Sequence, residues 1–246
     1  AYNGVIFKSR QHSERLHNSA KIMGFDIPYT VDQIEDAKKE ALARSGLESA
    51  YIRAIAWRGS EMMGVSAQQN TIHLAIAVWH WGDYFADKMK GIRLTHAQWR
   101  RPAPDTAPCH AKAAGLYLIC TLSKHAAEKD GYADALMLDY RGQVAEATGA
   151  NIFFVRDGAI HTPTPDCFLN GLTRQTVIGL AKERQIEVIE RAIMPDELST
   201  FSECFITGSA AEVTPVSEIG EHIYKPSDIS QYMVDDYSNL VRGVKV

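Results

Sequence analysis

The chain has 246 residues, of which 46% are hydrophobic and 23% are charged, so it is long enough for one large or two modest globular domains. Its formal net charge is −4 and acidic and basic residues are interspersed, which argues against a nucleic-acid-binding surface. No apolar run approaches the roughly 18 residues of a membrane span and no signal-peptide pattern is present, so we expect a cytoplasmic protein without membrane contacts.

The first part of the chain predicts a small α+β domain over residues 1–86. Its predicted elements are helices at 10–23 and 30–46, and strands at 50–57 and 71–79. The first helix ends at Gly24, and the second begins with Thr30 and Gln33 spaced as in a capping box and ends near Gly46. The two strands are rich in β-branched and aromatic residues, and residues 59–70 join them.

The remainder, residues 87–246, predicts a larger domain in which strands and helices alternate. Its predicted strands are 92–99, 135–139, 144–155, 159–163, 186–193 and 203–216, and its predicted helices are 113–130, 173–185 and one from about 227. Asp157-Gly158 is typical of a tight turn between two strands, and residues 101–108 form a Pro-rich loop. There is no internal repeat.

Two further observations concern the covalent chemistry and the start of the chain. The four cysteines are scattered without a Cys-x-x-Cys spacing, which favours reduced thiols over disulfides or a metal site. The chain begins with Ala1 in what reads as the middle of an element, so we expect that an N-terminal segment precedes it.

Lys112 is the lysine whose neighbours are least like those of a surface lysine. It stands at the predicted start of a helix among small residues, namely Ala111, Ala113, Ala114 and Gly115. The positive end of the helix dipole and apolar packing both disfavour an ammonium group there, which would leave a neutral amine to attack an aldehyde. A solvated surface charge is the alternative interpretation.

A carboxylate and two turns could complete a binding site around such an amine. Glu146 lies in a predicted strand, where an inward-facing carboxylate needs a cationic partner; a solvent-facing residue and a purely structural ion pair with an arginine are the alternatives. In Gly171-Leu172-Thr173 the N–H groups of Leu172 and Thr173 precede a predicted helix and can point at an anion such as a phosphate. Gly208-Ser209-Ala210 offers a second turn with a hydroxyl group.

Four segments together resemble the fold-type IV pyridoxal-phosphate (PLP) enzymes. They are Ala-Lys-Ala-Ala-Gly-Leu-Tyr (111–117), Gln-Val-Ala-Glu-Ala-Thr-Gly-Ala-Asn-Ile-Phe-Phe (143–154), Leu-Asn-Gly-Leu-Thr-Arg (169–174) and Ile-Thr-Gly-Ser-Ala-Ala-Glu-Val-Thr-Pro-Val (206–216). Among those enzymes the chain is similar to the class IV aminotransferases, and in particular to the bacterial branched-chain amino acid aminotransferases. The resemblance implies an α+β, two-domain fold like that of D-amino acid aminotransferase.

The resemblance also implies a role for each residue that would bind the cofactor. Lys112 would hold PLP through its aldehyde and act as the catalytic base, Glu146 would accept the pyridine N–H, and the Tyr117 phenol would contact the ring oxygen. The residues implied for the phosphate are Arg15 in His-Ser-Glu-Arg-Leu, Leu172, Thr173 and Ser209, which stands where family members more often carry Thr. A core tyrosine and a surface arginine are the alternatives for Tyr117 and Arg15.

The same resemblance predicts where the amino acid substrate binds. Tyr51 and Arg53 lie on one face of a predicted strand because residues alternate there. The full set implied for the substrate pocket is Tyr51, Arg53, Val65, Trp81, Tyr84, Ser209 and Ala210, with Val65 in a loop that reaches the partner subunit's pocket in the family. Core aromatic residues and an ordinary loop are the alternatives.

The implied function is amino transfer from L-leucine, L-isoleucine or L-valine to 2-oxoglutarate through PLP in a ping-pong cycle, as part of branched-chain amino acid biosynthesis. The implied partners are amino acids and 2-oxo acids, and the implied assembly is a homodimer or a higher homo-oligomer. Three alternatives stay open: a D-amino acid or (R)-amine transaminase, an aminodeoxychorismate lyase of the same fold, and an inactive PLP-binding remnant.

Overall fold

The structure is a computed structural model that describes residues 1–82 and 88–244. The first part contains two helices and two strands: α1 Ser9–Ile22, α2 Val31–Ser45, β1 Tyr51–Arg58 and β2 Ile72–Trp79. The predicted capping box is confirmed at the start of α2, because the Thr30 hydroxyl accepts a hydrogen bond from the Gln33 N–H at 3.2 Å and the Gln33 side chain accepts one from the Thr30 N–H at 2.8 Å. Helix α2 ends at Gly46, whose φ of 69° is in the left-handed region that glycine adopts readily.

Strands β1 and β2 form an antiparallel two-stranded sheet in which Tyr51 lies opposite Trp79. One face of this sheet packs against α1 and α2 in a cluster that includes Ala20, Ile27, Ile34, Ala56, Leu74 and Ile76. Since side chains alternate between faces along a strand, the other face carries a separate set of residues, and these include the exposed Arg53, Ile55 and Trp57.

The second part contains nine strands and three helices among the described residues. The strands are β3 Ile92–His96, β4 Asp134–Leu138, β5 Val144–Ala147, β6 Asn151–Arg156, β7 Ala159–Pro163, β8 Val188–Arg191, β9 Glu203–Gly208, β10 Glu212–Ile219 and β11 His222–Ile223. The helices are α3 Leu118–Lys129, α4 Leu172–Glu183 and α5 Asp228–Arg242, with short 3₁₀ helices at Lys88–Lys90, Ala114–Tyr117 and Pro195–Thr200.

These nine strands form one mixed sheet that closes on itself. The strand order is β11-β10-β3-β4-β5-β6-β7-β8, and β9 pairs with both β10 and β6. Strands β10, β3, β4, β5, β6 and β9 therefore form a closed ring. The principal core of this part includes the buried side chains of Leu94, Leu136, Ile152, Phe154, Ile206 and Val216. A closed sheet has no free edge along the ring, so its strand ends and turns have fixed positions for a binding site.

Two of the predicted strands are wrong in extent, because each is two strands joined by a turn of small residues. The run 144–155 divides at residues 148–150 into β5 and β6, and the run 203–216 divides at residues 209–211 into β9 and β10. Neither turn contains proline or an Asn-Gly pair, so the sequence gives no strong turn signal. The turn predicted at Asp157-Gly158 is confirmed, since both residues have positive φ.

The chain divides into two compact units, one with residues 1–82 and 111–113 and the other with the remaining described residues. The predicted boundary between residues 86 and 87 lies outside the described residues and stays a prediction. All four cysteines are buried free thiols. None of the helices in the described residues combines the length and the hydropathy of a membrane-spanning segment.

Candidate active site

Helix α1 carries three polar residues at intervals of three and four positions, which places His12, Arg15 and Ser19 on one face of the helix. The Arg15 guanidinium contacts Nδ1 of His12, with Nη2 and Nδ1 at 3.2 Å. Burial, followed by neighbouring positive charges, lowers the pKa of His12 to about 3. His12 is therefore neutral at pH 7, and its Nδ1 accepts the hydrogen bond that orients Arg15.

Ser19, on the same face of α1, fixes the backbone of Lys112. The Lys112 N–H donates to Ser19 Oγ at 3.0 Å, and Ser19 is buried. Residues 111–113 belong to the same compact unit as α1. Helix α1 thus orients a guanidinium and also holds the backbone of the predicted nucleophile.

The surroundings of Lys112 differ from the prediction in two ways. A 3₁₀ helix begins at Ala114 and the α-helix only at Leu118, so Lys112 does not lie in the first turn of α3. Lys112 and Leu118 are also exposed, so apolar packing does not surround the amine as expected. The small residues beside Lys112 correspond to an irregular segment held by Ser19 and not to a helix start.

The predicted substrate residues of the first unit gather in an aromatic cluster at one end of the two-stranded sheet. The Tyr51 ring lies 5.0 Å from the Trp79 ring and 4.8 Å from the Trp81 ring, measured between centroids. The Arg53 guanidinium lies 5.5 Å from the centre of the Tyr51 ring and 5.6 Å from that of Trp79. The result is an aromatic surface with one guanidinium beside it.

Val65, another predicted substrate residue, lies outside this cluster. Val65 is at the tip of the loop between β1 and β2 and is fully exposed. The buried Asn70 side chain fixes the base of that loop, since it donates to the Gly59 carbonyl at 2.6 Å and accepts from the Met62 N–H at 3.1 Å. Tyr84 lies outside the described residues.

In the second unit Glu146 is buried on β5, and the cationic partner that the sequence analysis required is Arg101. Arg101 is also buried, and its Nε lies 3.3 Å from Glu146 Oε1. The other carboxylate oxygen, Oε2, accepts a hydrogen bond from Asn151 Nδ2 at 3.2 Å. Each oxygen of the carboxylate therefore has a fixed partner, which is how a buried charge is tolerated.

Tyr117 is the last residue of the 3₁₀ helix that precedes α3, and 39% of its surface is exposed. The Arg101 guanidinium donates to the carbonyl of the preceding residue, Leu116, at 3.3 Å. Arg101 therefore contacts both Glu146 and the segment that carries Tyr117. The exposure contradicts the alternative that Tyr117 is a core tyrosine.

Helix α4 begins at Leu172, and among the described residues no side chain caps its first turn. Leu172 and Thr173 are its first two residues, so their N–H groups have no acceptor within the helix and carry the positive end of the helix dipole. Thr173 is buried and Leu172 is half-buried. The N–H groups predicted to face a phosphate therefore do begin a helix, and the binding of a phosphate there stays a prediction.

The Gly208-Ser209-Ala210 turn lies beside the turn of residues 148–150, because β9 pairs with β6 and places Asn151 opposite Thr207. A Cβ added to Gly208 would lie 3.4 Å from the Gly149 carbonyl oxygen, so the two turns are in close approach. Ser209 is exposed and Ala210 half-buried. Ser209 can therefore offer a hydroxyl and N–H groups from this turn to a ligand.

Sequence reasoning did not single out four residues that hold these groups in place: Ser19, Trp79, Arg101 and Asn151. Arg101 was assigned only to a Pro-rich loop. Asn151 was missed because residues 144–155 were predicted as one strand, whereas in the hairpin Asn151 lies directly opposite Glu146. A turn assigned at residues 148–150 would have paired the two.

The groups present match the chemistry of the predicted cofactor. They are an amine, a buried carboxylate, a guanidinium, the N–H groups that begin α4, and the turn with Ser209. The Thr207 hydroxyl is a further buried polar group. Thr207 is 1% exposed, and within the described residues its hydroxyl has no hydrogen-bond partner. Thr207 lies directly opposite Asn151 on the paired strand. This donor set fits an anionic, phosphate-bearing aldehyde.

Comparison with known proteins agrees with this chemistry. The family model described as amino-transferase class IV matches residues 1–219. A probable branched-chain-amino-acid aminotransferase from Rickettsia conorii is 38% identical over 98% of this chain and 84% of that protein.

Solved structures agree as well. A crystal structure of a branched-chain aminotransferase from Thermoproteus uzoniensis with norvaline has a TM-score of 0.94 and 36% identity over 99% of this chain and 83% of that one. The T.th. branched-chain amino acid aminotransferase complexed with N-(5'-phosphopyridoxyl)-L-glutamate has a TM-score of 0.93 and 36% identity over 97% of this chain and 80% of that one.

Proposed function

This chain belongs to the class IV aminotransferase family, and we propose that it uses PLP to transfer the amino group of L-leucine, L-isoleucine or L-valine to 2-oxoglutarate. The predicted fold class, α+β with the two-domain fold-type IV architecture, is confirmed by the structural neighbours. The observation that carries the proposal is the buried Glu146 carboxylate, held between Arg101 and Asn151. Such a fixed negative charge suits the N–H of a protonated pyridine ring.

When bound, PLP supplies an electron sink for the electrons left at the substrate Cα once its proton is removed. In the proposal, the Lys112 amine holds the cofactor through its aldehyde and, when released by the incoming amino acid, moves the Cα proton. The hydrogen bond from the Lys112 N–H to Ser19 supports this role, because it fixes the backbone from which the flexible side chain extends.

Glu146 and Tyr117 would bind the ring. Glu146 holds a proton on the ring nitrogen, and the guanidinium of Arg101 keeps the carboxylate charged in a buried position. The Tyr117 phenol donates to the ring oxygen. A carboxylate with both oxygens held is preorganised, so little reorganisation accompanies the charge change in the transition state.

The phosphate would be held by N–H groups and one guanidinium. Leu172 and Thr173 supply the N–H groups that begin α4, and Ser209 supplies a hydroxyl. Arg15 supplies the positive charge, and the neutral His12 orients its guanidinium. The neutral state of His12 at pH 7 avoids a second positive charge directly against Arg15.

The aromatic cluster of Tyr51, Trp79 and Trp81 supports an apolar substrate side chain, and Arg53 beside it supports the distal carboxylate of glutamate. The related structures with norvaline and with a phosphopyridoxyl-glutamate adduct motivate this assignment. Tyr84, Ala210 and the exposed Val65 complete the proposed substrate residues, with Val65 acting in a partner subunit of a homodimer or higher oligomer. Glutamate and a branched-chain amino acid would then use one site in turn, in a ping-pong cycle.

Arg53 provides a test of this substrate assignment. Arg53→Ala should reduce kcat/KM for the glutamate half-reaction by about 10- to 100-fold, which corresponds to about 1.5–3 kcal/mol for a charge-assisted hydrogen bond. The leucine half-reaction should lose much less, because leucine has no second charge to pair. Stopped-flow absorbance of the two half-reactions measures both constants, and equal losses would show that Arg53 only supports Tyr51.

The alternatives within the fold are separated by a substrate panel. Single-turnover absorbance changes of the PLP-loaded protein with L-leucine, D-alanine and aminodeoxychorismate should show conversion with L-leucine. Faster conversion with D-alanine would support a D-amino acid transaminase, and pyruvate release from aminodeoxychorismate would support the lyase. A bound chromophore that no substrate changes would support the inactive remnant.

A further inference from the structure

The side-chain amide of Asn151 makes three hydrogen bonds in the second unit, to two different parts of the candidate site. Its Nδ2 donates to Glu146 Oε2 at 3.2 Å and to the Leu169 carbonyl at 2.9 Å. Its Oδ1 accepts from the Gly171 N–H at 3.1 Å. Asn151 is only 5% exposed, and both hydrogens of its amide are used. One buried amide therefore contacts a carboxylate on the sheet and the turn that begins α4.

The strand pairing fixes the first of these contacts. Glu146 and Asn151 are directly opposite each other across the hairpin of β5 and β6, so their side chains lie on the same face of the sheet. Arg101 is at the other carboxylate oxygen, at 3.3 Å. If the Asn151 amide moved, Oε2 would lose its hydrogen bond while the contact to Arg101 remained, and the carboxylate would turn.

Close approach of the backbone fixes the second contact. A Cβ added to Gly171 would lie 2.4 Å from Asn151 Oδ1, well inside van der Waals contact. The φ of Gly171 is −62°, an ordinary value for any residue. Glycine is therefore needed at this position for the space that Asn151 occupies and not for its backbone conformation.

We propose that Asn151 is a positioning residue that couples the orientation of Glu146 to the first turn of α4. The inference rests on the proposed function, in which Glu146 meets the ring nitrogen of PLP and that turn meets its phosphate. One amide would then set the distance between the group that binds the ring nitrogen and the turn that binds the phosphate. A disturbance at Gly171 would reach Glu146 through Asn151, which is hydrogen-bonded to both residues.

The test compares two glycine substitutions in PLP-loaded protein. Gly171→Ala places a methyl group against the Asn151 amide, whereas Gly179→Ala adds one within α4 where no heavy atom beyond the adjoining residues and the helix's own backbone lies within 4 Å among the described residues. The readouts are the affinity for PLP and the pH midpoint of the absorbance change of the bound cofactor, which responds to the ring nitrogen and its partner. Asn151→Ala is measured beside them.

Gly171→Ala and Asn151→Ala should each weaken PLP binding by about tenfold, as expected for a lost hydrogen bond to a charged group, and should shift the pH midpoint in the same direction. Gly179→Ala should leave both readouts unchanged. In a Glu146→Gln background, Gly171→Ala should produce no further shift of the midpoint, because the coupled group is already neutral. A loss of PLP affinity alone could also arise from a change in the turn that binds the phosphate. The pH midpoint of the absorbance change is therefore the decisive readout.

Two results obtained with the variants would overturn the inference. One is a Gly171→Ala protein whose midpoint equals that of Gly179→Ala, and the other is a shift of equal size in the wild-type and Glu146→Gln backgrounds. If Asn151→Ala does not fold, the Gly171→Ala comparison still decides. A wild-type protein that forms no chromophore with PLP would overturn the proposed function and this inference together, whereas a normal wild-type chromophore with unchanged variants would overturn the inference alone.

Discussion

The negative charge of Glu146 is held in a buried position by a guanidinium and an amide, which belong to Arg101 and Asn151. A buried charge of this kind is costly unless its partners are fixed. Its location on a strand of the closed sheet gives it a rigid support. The free-energy cost of burying the Glu146 charge is therefore consistent with a functional requirement for a charged acceptor on β5.

Glu146→Gln removes that charge and keeps the shape of the side chain. The substitution should leave the fold and the attachment of PLP to the protein intact, but should slow removal of the leucine Cα proton on the order of 100-fold or more, because a neutral amide no longer holds the ring proton. Stopped-flow absorbance with L-leucine and with Cα-deuterated leucine measures the proton step directly. Rates within a few-fold of the wild type would remove Glu146 from the site.

Helix α1 illustrates how one secondary-structure element can place two groups at once. Arg15 and Ser19 are four residues apart and share a face, so one supplies a guanidinium while the other accepts a hydrogen bond from the Lys112 backbone. A change in either residue leaves the other in place. The contributions of the helix to the two groups can therefore be separated by substitution.

Ser19→Ala should weaken PLP binding by about 2- to 10-fold, since it leaves the Lys112 N–H without its acceptor, a loss of about 0.5–1.5 kcal/mol. Asn18→Ala, an exposed neighbour on the same helix, is the matched control and should have no such effect. Absorbance titration of the protein with PLP gives both affinities. Equal affinities for the two variants would mean that the contact to Ser19 does not position Lys112.

The elements of the chain could be predicted from its sequence where their signals are local. The capping box at Thr30 and Gln33 and the terminal Gly46 defined α2, because caps depend on a few neighbouring residues. The turns at 148–150 and 209–211 could not be predicted, because their small residues are also compatible with a continuous strand. Because the turn at 148–150 was not predicted, the pairing of Glu146 with Asn151 across it was not predicted either.

The candidate site followed from the resemblance of four motifs and from the residues that this resemblance adds in the first part of the chain, whereas its supporting contacts required the structure. Arg101 meets Glu146 from a distant part of the chain, which no local pattern predicts. The predictions that Lys112 begins a helix and is packed among apolar residues were wrong for a related reason. The segment around Lys112 is irregular and is held by Ser19, which lies far away in the sequence on α1. Long-range contacts of this kind are set by tertiary structure.

The lowered pKa of His12 should make the folded protein less stable in acid. The pKa of His12 is lowered to about 3 in the folded chain against 6.5 as its ordinary value, mainly by burial and by the charges of Arg15, Lys38 and Lys112, with Glu35 opposing them. As the pH falls below 6.5, the unfolded chain binds a proton at His12 that the folded chain does not bind. The free energy of unfolding therefore decreases between pH 6.5 and about 3.

His12→Gln should reduce the difference in unfolding free energy between about pH 7 and about pH 5, because the variant no longer binds that proton and still offers an acceptor to Arg15. The control is His125→Gln, in which an exposed histidine of α3 is replaced. Urea unfolding followed by circular dichroism at the two pH values provides the comparison. If the unfolding free energy of His12→Gln depended on pH as strongly as that of His125→Gln, the result would contradict a neutral, half-buried His12.

The most direct measurement is the identity of the lysine that holds PLP. The PLP-loaded protein is reduced with borohydride and digested, and the modified peptide is identified by mass spectrometry. In the wild-type protein we expect the phosphopyridoxyl group on Lys112. In Lys112→Ala we expect neither the adduct nor transfer of the leucine amino group. Lys129→Ala, which changes an exposed lysine at the end of α3, should retain the adduct and the transfer. A phosphopyridoxyl group on any other lysine, or one retained in Lys112→Ala, would contradict the account.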